Sequence, residues 1–353
     1  MQSAGLYVHV PFCKRKCLYC DFYSAADMSR ADDYVRAVIR NIKAAGLKYD
    51  TVYFGGGTPS LLTAEQISDI LSAADISYGS EISMECNPES ADNAYFCGLK
   101  AAGVNRISFG VQSLDDGELA ALGRLHNADK AREAVLSAYS AGFINISADL
   151  MIATPMQTAE SLDRTLDSLL RLPLTHVSAY LLKVEKGTPL SFDQTIAEKL
   201  PNEDETADMY LNAAKKLSAA GFDQYEISNF ARNGFECRHN LKYWRCEEYF
   251  GIGPSAHSFL DGVRFYCPPD TEKFISAPLQ EKISLGTGGD RDEKAMLALR
   301  LTKEGLRLAD FPKAESRAEP LLKSGLVKKE QGALMLTADG CLVSNEIICR
   351  LIG

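Results

Sequence analysis

The sequence predicts an α/β protein built on a parallel sheet, and three observations predict it. Apolar and β-branched runs alternate with amphipathic helical stretches from residue 5 to about residue 230. Several helical stretches stop at a glycine placed as a C-terminal cap, at Gly46, Gly103, Gly142 and Gly221. The segments 99-LKAAGVNRISFGVQ and 137-SAYSAGFINISADL share a helix–Ala-Gly–strand form, as repeated βα units do. Six such units imply a parallel sheet, either doubly wound or curled into a barrel.

The predicted strands are Leu6–Val10, Thr51–Phe54, Glu81–Cys86, Asn105–Phe109, Ile144–Leu150 and His176–Leu182. Between them fall helices Ala31–Ala45, Ala64–Ala74, Ala91–Ala102, Asp129–Ala141 and Ala159–Leu172. A further helix, Asn202–Ala220, leads to the strand-like Gln224–Ser228. These divide the chain into an α/β part, 1–230; a loop-rich part, 231–290, rich in Gly, Pro and aromatics and holding the only Trp; and a terminal part, 291–353. The last contains helices Glu293–Leu301 and Ala314–Ser324, short strands Leu326–Lys329 and Ala333–Leu336, and helix Ala338–Leu351. That helix–helix–hairpin order is winged-helix-like, but its acidic and apolar balance gives no reason to read DNA binding.

Composition bounds the function. With 46% hydrophobic and 24% charged residues the 353-residue chain is ordinary globular protein. A net charge of −9 argues against a nucleic-acid or anionic-membrane partner. No apolar run reaches the ~18–20 residues of a membrane span, and no secretory signal is visible, so a soluble cytoplasmic protein is expected. The 10 cysteines then read as reduced thiols rather than disulfides.

Three of those thiols, Cys13, Cys17 and Cys20, stand in a C-x3-C-x2-C run in the loop after the first strand. A closed zinc site or a fully ligated iron–sulfur cube needs four ligands; three cysteines leave one iron open for something exchangeable. A Cys3His zinc site with His9, and plain buried thiols, are the alternatives. Other polar residues fall at the C-terminal ends of strands, where parallel barrels build their sites: Gly55-Gly56-Gly57-Thr58-Pro59 after strand two, Glu85 and then Asn87-Pro88 at strand three, Gln112 after strand four, and Asp149 near the end of strand five. Each alone reads as a turn or a strand-end cap, and Arg124 as a solvated helix residue. Together they converge on one rim.

Cys13-x3-Cys17-x2-Cys20 followed by Gly55-Gly-Gly-Thr-Pro59 resembles the radical S-adenosylmethionine superfamily. The lead-in Tyr7-Val-His-Val-Pro-Phe-Cys13 resembles its branch of oxygen-independent coproporphyrinogen oxidases and related heme chaperones, over nearly the whole chain. The resemblance implies an open six-stranded βα barrel and a [4Fe-4S] cluster on Cys13, Cys17 and Cys20, with S-adenosylmethionine on the fourth iron. It implies that Tyr7, Tyr19, Gly56, Gly57, Thr58, Glu85, Gln112, Arg124 and Asp149 line the adenosylmethionine pocket, with the Gly57 N–H able to hold the carboxylate.

Within that branch the oxidases usually continue the motif with a Cys where this chain has Phe22, and carry a longer segment before the cluster than the 12 residues here. The run His239-Asn-Leu-Lys-Tyr243-Trp244 resembles the H-N-x-x-Y-W signature associated with heme, which implies heme contacts at His239, Tyr243 and Trp244. His239 is then the expected axial ligand and His257 the alternative. Two loops depart from the family pattern. Ala153-Thr-Pro-Met-Gln-Thr158 stands where Gly-Leu-Pro-x-Gln-Thr is usual, and Gly251-Ile-Gly-Pro-Ser-Ala-His257 carries Pro and Ser where positive φ could be needed. The expected function is heme binding and transfer to an unidentified acceptor protein; a homodimer stays open. The rivals are a radical coproporphyrinogen oxidase and a radical heme methyltransferase.

Overall fold

The computed structural model describes residues 3–352. Six strands pair in sequence order, all parallel: β1 (Ala4–Val10), β2 (Lys48–Gly56), β3 (Asp75–Cys86), β4 (Arg106–Gln112), β5 (Asn145–Ile152) and β6 (His176–Leu181). One register runs Tyr7, Tyr53, Ser83, Arg106 across β1 to β4. Alternation along each strand makes two unlike faces. Leu6, Val8, Val10, Val52, Phe54, Met84, Ile107, Phe109, Ile146 and Leu150 are buried in the main hydrophobic core. The alternate positions are polar or aromatic: Tyr7, His9, Thr51, Tyr53, Glu81, Glu85, Arg106, Ser108, Ser147, Asp149 and His176.

The helices join the same core. In Ala31–Ala45 the buried positions Tyr34, Val35, Val38 and Ile42 recur at helical spacing, which leaves one polar face in water. The four glycines expected to end helices all have positive φ, from 60° at Gly46 to 105° at Gly103. No Cβ obstructs that turn.

The barrel is open because β1 and β6 pair with other strands. Tyr249–Ile252 adds to β1 in parallel, followed by antiparallel His257–Leu260, Val263–Tyr266 and Ile283–Thr287. On the other edge Asn229–Ala231 and Asp223–Glu226 extend β6. The stretch expected to be loop-rich therefore contains four strands of the main sheet. They are only four or five residues long and interrupted by Gly and Pro, which conceals a period-2 pattern.

The terminal part has helices Arg291–Ala298 and Pro312–Lys323 and a three-stranded antiparallel sheet of Leu306–Arg307, Ala333–Leu336 and Val327–Glu330. The expected last helix is two, Ala338–Leu342 and Ser344–Ile352. Thr302 fastens this part to the barrel flank, its hydroxyl donating to the Gln224 carbonyl (2.8 Å) and its N–H to that of Tyr225 (3.1 Å).

Candidate functional site

The cysteine loop leaves β1 and is closed at its base. Phe12 and Ala25 form an isolated bridge, and the Cys13 N–H donates to the Ala25 carbonyl (3.0 Å). Its far side is tied down as well: the Leu18 N–H donates to the Leu122 carbonyl (3.2 Å) and Arg15 to that of Gly123 (2.7 Å). The glycine loop after β2 lies directly against it. The Gly57 N–H donates to the Val10 carbonyl (2.8 Å) and the Thr58 N–H to that of Phe12 (2.7 Å). That corrects one expectation: the Gly57 N–H is already engaged. The glycine is needed for close approach instead, since a Cβ there would stand 2.4 Å from the Phe12 oxygen. At Gly56, φ is +105° and a Cβ would meet the His9 ring at 2.7 Å.

Two of the cysteines are joined by a chain of hydrogen bonds. Cys13 Sγ is 3.1 Å from Thr58 Oγ1, which accepts from Asn87 Nδ2 (3.1 Å). Asn87 Oδ1 accepts from Arg124 Nη2 (2.9 Å), and Arg124 Nη1 donates to Cys17 Sγ (3.4 Å). Arg124 also donates to the Gly110 carbonyl (2.8 Å) and has Tyr19 beside it. Gln112 ends β4 at φ +66° with its amide beside Gly110, next to Arg124 and Asn87. Asn87, read from the sequence only as a rim residue after β3, is the link between Thr58 and Arg124.

The inward row supplies two carboxylates. Glu85 Oε1 accepts from Tyr53 OH (2.9 Å), and Asp149 Oδ1 from Ser108 Oγ (3.1 Å). Burial, with the Asp149 charge nearby, pushes the Glu85 carboxyl up to about 7; burial also raises that of Asp149. Tyr7, with its hydroxyl 3.1 Å from His9 Nδ1, is held neutral by burial and the neighbouring Glu85. Tyr7, Gly56, Gly57, Thr58, Glu85, Gln112, Arg124 and Asp149 thus gather at the C-terminal mouth of the barrel beside the cysteine loop, with Tyr19 on that loop.

Residues 7–169 match the family model of the radical SAM superfamily. The chain is 37% identical to the heme chaperone HemW of Mycobacterium tuberculosis over 100% of its own length and 95% of that protein. It is 34% identical to heme chaperone HemW of Bacillus subtilis over the full length of both. The chain belongs to the HemW family. Its fold is similar to the coproporphyrinogen III oxidase HemN of Escherichia coli, with a TM-score of 0.83, 22% identity, and coverage of 99% of this chain and 90% of that one.

Membership of a radical SAM family implies a [4Fe-4S] cluster and S-adenosylmethionine, and the donor set fits. Cys13, Cys17 and Cys20 are free, half-buried thiols, whereas Cys86, Cys237, Cys267 and Cys341 are buried. No three His, Cys, Asp or Glu side chains among the described residues are gathered tightly enough to hold one ion as they stand. The loop therefore brings the donors without a pre-assembled coordination sphere. His9 does not complete a Cys3His zinc set, because Nε2 lies 2.9 Å from the Tyr23 carbonyl and Nδ1 faces Tyr7.

The HemW-type motif His239 to Trp244 forms helix Arg238–Trp244, whose N-terminus is capped from the barrel interior. Glu81 accepts the N–H groups of Arg238 (3.2 Å) and His239 (3.1 Å). His239 is wholly buried, with Nδ1 2.9 Å from Thr51 Oγ1, Nε2 2.8 Å from Tyr243 OH, and its ring stacked on Tyr53. Burial, then the charges of Lys242 and Arg106, push its pKa down to about 3. The expected axial heme ligand is therefore a neutral imidazole inside the barrel with both nitrogens engaged; it reaches an iron only if the helix leaves its seat. Trp244 faces the other way, with the Arg300 guanidinium 4.5 Å from its ring centre. His257 is exposed and stacked on Tyr266.

Proposed function

We propose that this chain is a heme chaperone that carries a [4Fe-4S] cluster, takes S-adenosylmethionine at the barrel mouth, and passes heme to an acceptor protein in the cytoplasm. The observation that carries this reading is similarity along the whole chain, terminal part included, to proteins named heme chaperones. When bound, the cluster supplies an iron with a position open to exchange. The chain's own residues then have assignable work. Cys13, Cys17 and Cys20 ligate, while Thr58 and Arg124 orient two of the sulfurs through their hydrogen bonds. Glu85 and Asp149 accept from ribose hydroxyls or the ammonium of adenosylmethionine; Tyr7, Tyr19, Gly56, Gly57 and Gln112 shape its pocket. Residues 1–230 serve as the cofactor barrel, 231–290 bring the heme-associated helix, and 291–353 close over it. Of the three motif residues expected to touch heme, Trp244 is the one proposed to do so in this packing; Tyr243 and His239 hold the helix.

The test is anaerobic reconstitution followed by heme titration, then addition of an apo-acceptor, with adenosylmethionine measured in the same sample. One heme per chain that moves to the acceptor while adenosylmethionine is unspent is the expected result. Heme left unbound while adenosylmethionine is consumed on coproporphyrinogen would replace this reading with the oxidase.

A further inference from the structure

Where the motif helix meets the terminal part lies a half-open groove of about 800 Å³. Trp244 and Phe311 are among its aromatic and aliphatic walls; Arg245, Arg291, Lys294 and Arg307 stand among its polar residues. Its volume is that of a small-molecule site. The charge is the second signal. On a chain of net charge −9, the groove gathers four cations against two carboxylates, Glu304 and Asp310. Both carboxylates are already paired, Glu304 with Arg245 (2.6 Å) and Asp310 with Arg307 (3.1 Å). Lys294 pairs with no carboxylate among the described residues. Arg291 spends one N–H on the Asp310 carbonyl (2.9 Å) and stacks its guanidinium 5.1 Å from the Phe311 ring centre. The third signal is Trp244 itself, a half-buried residue of the groove lining whose Nε1 is buried and has no hydrogen-bond partner. A buried indole N–H without an acceptor is costly, and a ligand carboxylate would satisfy it once the indole turns toward the groove.

No His, Cys, Met or Tyr lines the groove among the described residues. An occupant is therefore held by a flat apolar face and by carboxylates, not by a strong iron ligand. We propose that this groove binds a tetrapyrrole through its macrocycle and propionates, with Trp244 and Phe311 against the ring, Arg291 and Lys294 on the carboxylates, and the metal left free for the acceptor's ligand. This rests on the heme-chaperone reading and adds to it where the ligand sits and that iron is dispensable for binding. It also supplies a reason for loose custody: a chaperone that does not ligate the iron strongly has one fewer bond to break at transfer.

The test uses the full chain and its single tryptophan, Trp244, as the reporter. Its emission is followed during titration with ferric protoporphyrin, metal-free protoporphyrin and the metal-free dimethyl ester. Saturable quenching by the first two with dissociation constants within about threefold, and at least tenfold weaker binding of the ester, is the expected pattern. The double variant Arg291→Glu, Lys294→Glu changes two exposed side chains, so it should stay folded and melt only slightly below the parent through loss of the Arg291 contacts to Asp310 and Phe311; it should weaken both acids at least tenfold. The milder pair Arg291→Gln, Lys294→Gln should fall between. Heme that binds the double variant as tightly as the parent, or binding of heme without metal-free protoporphyrin, would overturn the groove while leaving the chaperone reading in place. Failure of both porphyrins to bind the parent would overturn both.

Discussion

Arg124 Nη1 stands 3.4 Å from the sulfur of Cys17, while the same guanidinium donates to Asn87 and to the Gly110 carbonyl. Three donor contacts in fixed planar geometry suit Arg and no other side chain. Through Asn87 and Thr58 the chain of contacts continues to Cys13, so two of the three thiols of the cysteine loop are oriented by one network. Arg124→Gln should leave the Gly110 carbonyl and Asn87 short of a donor, costing about 1–3 kcal/mol in denaturant unfolding. Iron and sulfide retained after reconstitution should fall roughly tenfold by the usual weight of such orienting groups. Retention equal to the parent's would show that the network is structural only.

The cluster itself makes a sharper demand. Reconstituted protein should carry about four iron and four sulfide per chain. Cys13→Ala, Cys17→Ala or Cys20→Ala should each abolish them. Cys97→Ala and Cys349→Ala, at exposed positions away from the loop, should change nothing. Stoichiometric zinc without sulfide would contradict the assignment.

Gly57→Ala should act through the backbone. Its Cβ would sit 2.4 Å from the Phe12 oxygen and 2.9 Å from that of Val10, both main-chain atoms at the root of the cysteine loop. The loop must shift, so cluster content and adenosylmethionine affinity should drop together. Gly46→Ala is the control: φ is +60° but nothing lies within 4 Å, so it should cost only about 1 kcal/mol with cofactor binding intact.

Glu85 gives a pH signature. Its folded pKa of about 7 lies above its ordinary 4.5, so between those values the folded chain holds a proton that the unfolded chain has released. Stability should therefore fall as pH rises through that window. Glu85 is partly exposed at the mouth, so solvent screening keeps the effect to about 1 kcal/mol. Glu85→Gln should remove the slope while keeping an acceptor for Tyr53. A cationic ligand against Glu85 should expel the proton, so adenosylmethionine binding near pH 6 should release protons, measured as a buffer-dependent calorimetric enthalpy. No buffer dependence would place the ammonium elsewhere.

His239→Ala separates the barrel-packed histidine from an iron ligand. Loss of a buried ring with two hydrogen bonds and a stacked partner should cost about 2–4 kcal/mol of stability. The Soret band of the heme complex should stay where it is. A displaced Soret band would restore His239 as the axial ligand.

Much of this was legible along the chain because the signals were local. The six strands showed themselves as apolar rows, the helix ends as Gly46 and Gly103, and the polar rim of the barrel mouth as polar residues at strand ends. Ala153 and Ser255, which stand where a glycine could have been needed, take φ of +62° and +69°. The Ala153 turn is held by its N–H donating to Gln157 Oε1 (2.7 Å). What stayed hidden was long-range. Thr51, which occupies one His239 nitrogen, lies 188 residues before it, and no local pattern announces that pairing. The strand Tyr249–Ile252 has the same character, for its partner β1 is at the other end of the chain. Trp244 and His239 read as one motif in sequence, yet the helix turns them to opposite sides.

The central claim is that this radical SAM scaffold carries heme rather than making its precursor. The most direct measurement is an anaerobic incubation of cluster-loaded protein with coproporphyrinogen, adenosylmethionine and a reductant, alongside a heme titration of the same preparation. The account predicts unchanged coproporphyrinogen and one heme bound per chain; decarboxylated product with no heme bound would contradict it.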